Sequence, residues 1–176
     1  MNGLSKFMVQ KEDVVGVDLM PGYIRIAQLD QQKGRWILTR VGYKYVEGDG
    51  DDLGLDDIRN HPENYISKLR QAVETNKITT TNAAVSIPVS SAIIRVIPLP
   101  SMTDEELREA EDTESLWENV VQLSDSLDEY SIFHQVIKRH THENTMDLLF
   151  VASKLDDIEH YMNIVRQAGL NPVIVD

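Results

Sequence analysis

Val-Val-Gly-Val-Asp-Leu-Met-Pro-Gly-Tyr-Ile-Arg-Ile-Ala-Gln-Leu, residues 14–29, is the stretch whose reading decides the fold. A short β-branched run ends on Gly16-Val17-Asp18, turns at Pro21-Gly22 and re-enters a second β-branched run. Pro pre-sets the backbone for the first turn position and Gly supplies the positive φ that the second can require, so the pair predicts a tight reversal and not a longer loop. A turn at Gln31–Gly34 then leads to a third strand, Trp36 to Val46, in which period-two alternation is clearest. The opening therefore predicts three consecutive strands, at about 14–19, 23–29 and 36–46, preceded by a loose leader over residues 1–12.

Outward from this opening, Glu47 to Asp57 reads as a Gly- and Asp-rich acidic loop. Pro62 sits where a helix can start, and Ile66, Leu69, Ala72 and Val73 recur at helical spacing. A polar turn at Thr79–Asn82 precedes a buried-looking strand, Ala83 to Ile87, stopped by Pro88. Ala92 to Leu99 is a further strand, closed by Pro98 and Pro100. Thr103-Asp-Glu-Glu106 fits a capping box that opens a helix to about Val121, with Trp117 on its apolar side. Tyr130 to Lys138 and Met146 to Ser153 read as paired strands. Leu155 to Ala168 reads as an amphipathic helix stopped by Gly169, and Val173 to Val175 as a last strand. The order is βββ-α-β, then β-α-β-β, then α-β. The middle unit interrupts an otherwise continuous half-domain.

Composition bounds what such a chain can do. Its 176 residues have room for one domain carrying a smaller insertion, with 41% apolar and 26% charged residues. A net charge of −12 argues against a nucleic-acid binder, which needs clustered Lys and Arg to displace phosphate counterions. It also disfavours broad adhesion to anionic lipid, although a small local basic patch escapes that average. The absence of cysteine removes disulfides, thiolate metal sites and thiol catalysis together. No apolar run approaches bilayer-spanning length, and Met1 to Lys11 lacks the apolar stretch of a signal peptide. These features suit a soluble, cytoplasmic chain.

Few residues invite catalysis. Asp18, at a strand end before a turn, is placed to orient a Mg²⁺-bound water beside a nucleotide, but turn Asp residues are common without any such duty. Phosphate cradles use Gly, Ser and Thr, whereas here Met20 and Tyr23 are bulky, Pro21 has no amide, and only Gly22 fits the role. The acidic loop mimics the start of a calcium loop at Asp49, Asp51 and Gly54, yet Leu53 and Asn60 occupy ligand positions. His142-Glu143 opens like a zincin motif, but Met146 stands where the second histidine belongs. No metal site and no catalytic residue follows from the sequence.

The segments now in hand resemble the PilM family of type IV pilus assembly proteins, actin-like relatives of the cell-division protein FtsA. They are Gly16-Val17-Asp18 with Tyr23-Ile24-Arg25-Ile26-Ala27, Ala84-Val85-Ser86-Ile87-Pro88, Ile93-Ile94-Arg95-Val96-Ile97-Pro98-Leu99-Pro100, and Ala168-Gly169-Leu170-Asn171-Pro172. The middle pair is also similar to the secretion protein GspL. The resemblance implies an α/β fold: an actin-like, ribonuclease-H-like half-domain (1A, residues 13–88 and 154–176) with an inserted β-α-β-β subdomain (1C, residues 89–153). It implies a scaffold at the cytoplasmic face of the inner membrane, holding the N-terminal tail of a bitopic PilN-type partner and contacting the assembly ATPase directly or indirectly. Membrane association would be indirect, or through a segment removed from this sequence.

Two departures qualify the resemblance. The opening turn lacks the usual serines, and the sequence stops at Val173-Ile-Val-Asp176, where a full member continues into a second lobe with the other phosphate loop. Either an excised piece or a one-lobed variant fits. An actin-type site closes between two lobes, so no cofactor is expected for this chain, and ATP with Mg²⁺ only where a second lobe exists. Asp18 and Gly22 are then vestigial nucleotide-facing residues. The rivals are the first lobe of an ATP-binding actin-like or sugar-kinase-like enzyme, and the cytoplasmic head of a bitopic protein as in GspL. For the partner tail, Ile94 and Val96 are the candidate lining residues of a seam between half-domain and insertion, because alternation puts them on one face of their strand.

Overall fold

The structure is a computed structural model that describes residues 13–46, 55–111, 117, 123 and 125–176. The leader (1–12), most of the acidic loop, and most of the chain from 112 to 124 lie outside them. The chain divides into two compact units, Met1–Ile87 with Tyr161–Asp176, and Pro88–His160.

The first unit is a five-stranded sheet in the order β3-β2-β1-β4-β8. Its strands are β1 (Val15–Met20), β2 (Tyr23–Gln32), β3 (Arg35–Tyr45), β4 (Asn82–Ser86) and β8 (Asn171–Val175). β1, β2 and β3 are antiparallel neighbours, whereas β4 runs parallel to both β1 and β8. Val15, Val17 and Leu19, Ile24 and Ile26, and Ala83 and Val85 point to one face and are buried there. Helix α2 (Pro62–Thr75) covers that face with Tyr65, Ile66, Leu69 and Ala72. Tyr161, Ile164 and Val165 of a C-terminal helix complete the same core. That helix, α4 (Leu155–Gln167), passes from one unit to the other between His160 and Tyr161. Gly169, with φ +94°, ends it: the Leu170 N–H donates to the Val165 carbonyl and the Gly169 N–H to that of Arg166, the paired bonds of a Schellman cap.

The second unit is a three-stranded antiparallel sheet in the order β5-β7-β6. Its strands are β5 (Ala92–Pro100), β6 (Tyr130–His140) and β7 (Thr145–Lys154). Ile97, Leu99, Met146, Leu148, Phe150 and Ala152 bury one face together with Leu107 of helix α3 (Asp104–Glu111). The Trp117 ring lies in this core, tilted against Phe150 at a centroid distance of 5.1 Å and against His134 at 5.5 Å. The capping box forms as expected. The Glu106 N–H donates to Thr103 Oγ1 (3.2 Å), and the Thr103 N–H donates back to the Glu106 carboxylate (2.8 Å).

Several boundaries differ from the sequence reading, each for a physical reason. The acidic loop does not extend to Asp57, because Leu55–Asn60 forms a short helix, α1, anchored by buried Ile58. β2 runs on to Gln32, so the β2–β3 reversal is the two-residue Lys33-Gly34 turn, with φ +50° and +76°; positive φ at both positions marks the primed turn that matches strand twist. Pro98 and Pro100 do not close β5 but lie within it, which an edge strand tolerates because a missing amide on its free side removes no ladder bond. β8 starts at Asn171, with Pro172 on the sheet's other edge beside a register shift.

Candidate functional site

Asp18 and Gly22 frame the first reversal, and the structure gives them separate partners. Residues alternate along β1, so Gly16, Asp18 and Met20 face away from the helices, onto the open side of the sheet. There Asp18 is register partner to Arg25, and the Arg25 guanidinium grips its carboxylate at 2.7 Å. The same guanidinium lies 5.1 Å from the centroid of the Tyr23 ring, which stacks on Tyr43. Asp18 therefore opens onto the sheet face already neutralised by a cation from the next strand. Around it Gly16, Ala27, Ala84, Ser86, Tyr43 and Asp176 line a shallow concavity of about 430 Å³, apolar in its walls.

Gly22 is turned the other way. With Pro21 before it and a φ of +81°, it is buried, and its N–H donates to Tyr65 Oη at 2.9 Å. The Tyr65 hydroxyl in turn donates to Asp57 Oδ2 at 2.5 Å. Burial first, and then the bond to Asp57, push the Tyr65 phenol well above its ordinary range, while the Gly22 amide pulls it down. So the amide with the best claim to a phosphate is held by a core tyrosine. Sequence reasoning missed this latch, although a Tyr in step with Ile66, Leu69 and Ala72 on a buried helix face carries a hydroxyl that needs a partner.

The second pair, Ile94 and Val96, lies on the outer face of the second unit's sheet. Register places Ile94 opposite Val151 and Val96 opposite Leu149 on β7, and Phe133 of β6 opposite the same Val151. Ile94, Val96 and Phe133 are exposed and Leu149 and Val151 half-buried, so the five form one apolar stripe across three strands. Ile93, Arg95 and Ile97 share the opposite face. Phe133, Leu149 and Val151 were not singled out from sequence. Their alternation was legible, but which strands neighbour Ala92–Pro100 was not.

Neither pair is accompanied by metal-binding geometry: among the described residues no group of three His, Asp, Glu or Cys could hold an ion. His140 is committed to Asp147 at 2.8 Å across the β6–β7 ladder, and His142 and Glu143 lie in the turn that joins those strands. Asp49, Asp51 and Gly54 of the calcium-like stretch fall outside the described residues. No helix among the described residues is long and apolar enough to cross a membrane.

The family model for the type IV pilus assembly protein PilM matches residues 16–176. The chain belongs to the PilM family. Among solved structures it is similar to a chain of a PilM–PilN type IV pilus biogenesis complex, with a TM-score of 0.68 at 13% identity. That match covers 93% of this chain and 46% of the other, so the chain spans about half the length of the chain it matches. At this identity the likeness speaks for the fold, an actin-like α/β architecture. No curated protein matches the chain significantly.

Proposed function

We propose that this chain is a non-catalytic interaction module of a type IV pilus assembly platform at the cytoplasmic face of the inner membrane. In this reading it takes the N-terminal tail of a PilN-type membrane protein and links it, directly or through other components, to the assembly ATPase. Family membership supports the pilus assembly role, and a similar solved structure is a PilM–PilN type IV pilus biogenesis complex.

The observation that carries the docking site is the Ile94–Val96–Phe133 stripe. It is aliphatic and aromatic, lies open on one sheet face, and its three exposed residues stand on the edge strands β5 and β6. An extended tail recognised by such a surface gains affinity from main-chain pairing at an edge and from a few apolar anchors. The net charge of −12 favours a tail carrying Lys or Arg, bound less tightly as salt rises. Titration of a PilN-type N-terminal peptide against wild type and Val96→Asp tests this. We expect a loss of at least tenfold in affinity for the variant with unchanged stability, and equal affinities would remove the stripe as the docking site.

The non-catalytic half of the reading is supported by the engaged turn, with Asp18 held by Arg25 and the Gly22 amide held by Tyr65. A phosphoryl-transfer site needs amides, metal and a second clamp directed at the phosphates. Calorimetry with Mg-ATP should give no binding in the micromolar range. Low-micromolar binding abolished by Asp18→Ala would overturn this half.

A further inference from the structure

The β2–β3 hairpin continues beyond the body of the first unit as an arm. Gln28 is the last buried residue of β2, and from Leu29 through Leu38 no residue is buried. Gln28 is pinned at the root, donating to Thr79 Oγ1 at 2.7 Å and accepting from the Thr79 N–H at 3.1 Å. Past that root, four β2 residues at about 3.3 Å each extend the arm by roughly 13 Å.

The arm carries large apolar side chains on both faces. A register shift leaves Thr39 without an opposite residue, so Leu29 pairs with Leu38 and Gln31 with Trp36. Side chains past an extra residue switch faces. Trp36 (49% exposed) and Leu38 (57%) thus share one face with Leu29, while Ile37 (41%) projects from the other. A protein groove typically covers one face of a strand; a lipid interface surrounds a tip on both.

Charge makes the same distinction. Between Gln28 and Tyr45, Lys33, Arg35, Arg40 and Lys44 stand against the single carboxylate of Asp30, in a chain whose net charge is −12. Arg40 lies 3.7 Å from Asp30, which leaves Lys33 and Arg35 as the charges of the tip. Trp favours the bilayer–water boundary, and cations near an anionic leaflet are attracted to it. The arm's reach exceeds a Debye length of roughly 8–10 Å, so the acidic body is screened when the tip touches the surface.

We infer that the Leu29–Leu38 arm is a peripheral membrane contact, inserting Trp36, Ile37 and Leu38 into the headgroup region of an anionic bilayer with Lys33 and Arg35 against the lipid phosphates. The contact is independent of tail docking, and Val96→Asp leaves it unchanged.

The test is co-sedimentation of the whole chain with mixed phosphatidylethanolamine–phosphatidylglycerol vesicles and with pure phosphatidylcholine vesicles, read alongside tryptophan emission. Trp117 is buried and serves as the silent reference, so a blue shift reports Trp36. Binding to the anionic vesicles with a blue shift is expected, and phosphatidylcholine should give neither. Lys33→Gln with Arg35→Gln should lower the partition about thirtyfold. Trp36→Ser should abolish the shift and weaken binding, with the far-ultraviolet dichroism unchanged. Equal binding to both vesicle types, no binding to either, or undiminished binding by Trp36→Ser would overturn the inference. So would a photo-cross-linker at position 36 that yields an acidic protein adduct in cells and no lipid adduct.

Discussion

The two sheets share a plan, with one face buried under helix and the other open, yet the open faces differ in chemistry. In the first unit the centre of that face is small or neutralised: Gly16, Ala27 and Ala84 around the Asp18–Arg25 pair. In the second unit the same position in the plan holds Ile94, Val96, Leu149 and Val151. An antiparallel sheet can leave one face to water when that face is polar. The second unit's sheet breaks that expectation with a cluster of aliphatic side chains, whereas the first unit's face centres on a neutralised ion pair set among small residues, with Val41 and Tyr43 exposed beside it. An apolar cluster that spans three strands points to binding, whereas a paired charge at the centre of a sheet face needs no partner.

The comparison is most sharply tested in the cores. Phe150→Ala removes the ring against which Trp117 packs and should cost about 3–5 kcal/mol in urea unfolding. The second unit should lose its Trp117 signal while the first retains its helices; loss of both together would mean that the units do not unfold separately. Tyr65→Phe is the counterpart in the first unit. It leaves the buried Gly22 N–H without its acceptor and should cost about 1–3 kcal/mol.

The same latch sets an alkaline limit. The folded Tyr65 phenol titrates above its ordinary value near 10, so the stability it contributes is present below that pH and lost as pH rises toward the folded value. Spectrophotometric titration should find Tyr65 ionising only as the first unit unfolds, and Tyr65→Phe should remove that step. Thr103→Ala, which deletes half of the capping box, should cost about 1 kcal/mol, confined to the second unit. The smallest effect belongs to Arg25→Ala. An exposed pair contributes under about 1 kcal/mol, and freeing Asp18 should confer no Mg-ATP affinity while Tyr65 holds the Gly22 amide.

Local signals were the legible ones. Pro21-Gly22, Thr103 with Glu106, and Gly169 each act within a few residues, and each forms the turn or cap that its chemistry dictates. The helix faces around Leu69 and Ile164 were readable for the same reason. What escaped depends on distant partners. The extra residue at Thr39 follows from how β3 is laid against β2; the run Trp36-Ile37-Leu38 breaks strict alternation but does not say where the register shifts. Pro98 and Pro100 stop a central strand but not an edge one, and edge status is a property of the sheet. Asp18 lies inside β1, two residues before its end, and its pairing with Arg25 needed the hairpin register.

The first unit is discontinuous in sequence: β8 lies beside β4, with Asn171 bonded to Asn82 across the whole of the second unit. On a ribosome this imposes an order. Residues 88–160 are contiguous and can fold as soon as they leave the exit tunnel. The five-stranded sheet must wait, with β4 exposing an unpaired edge, until residue 175 emerges. The smaller unit is thus contained in one run of chain, whereas β4 keeps an unpaired edge, the kind that templates aggregation, for as long as β8 is unmade.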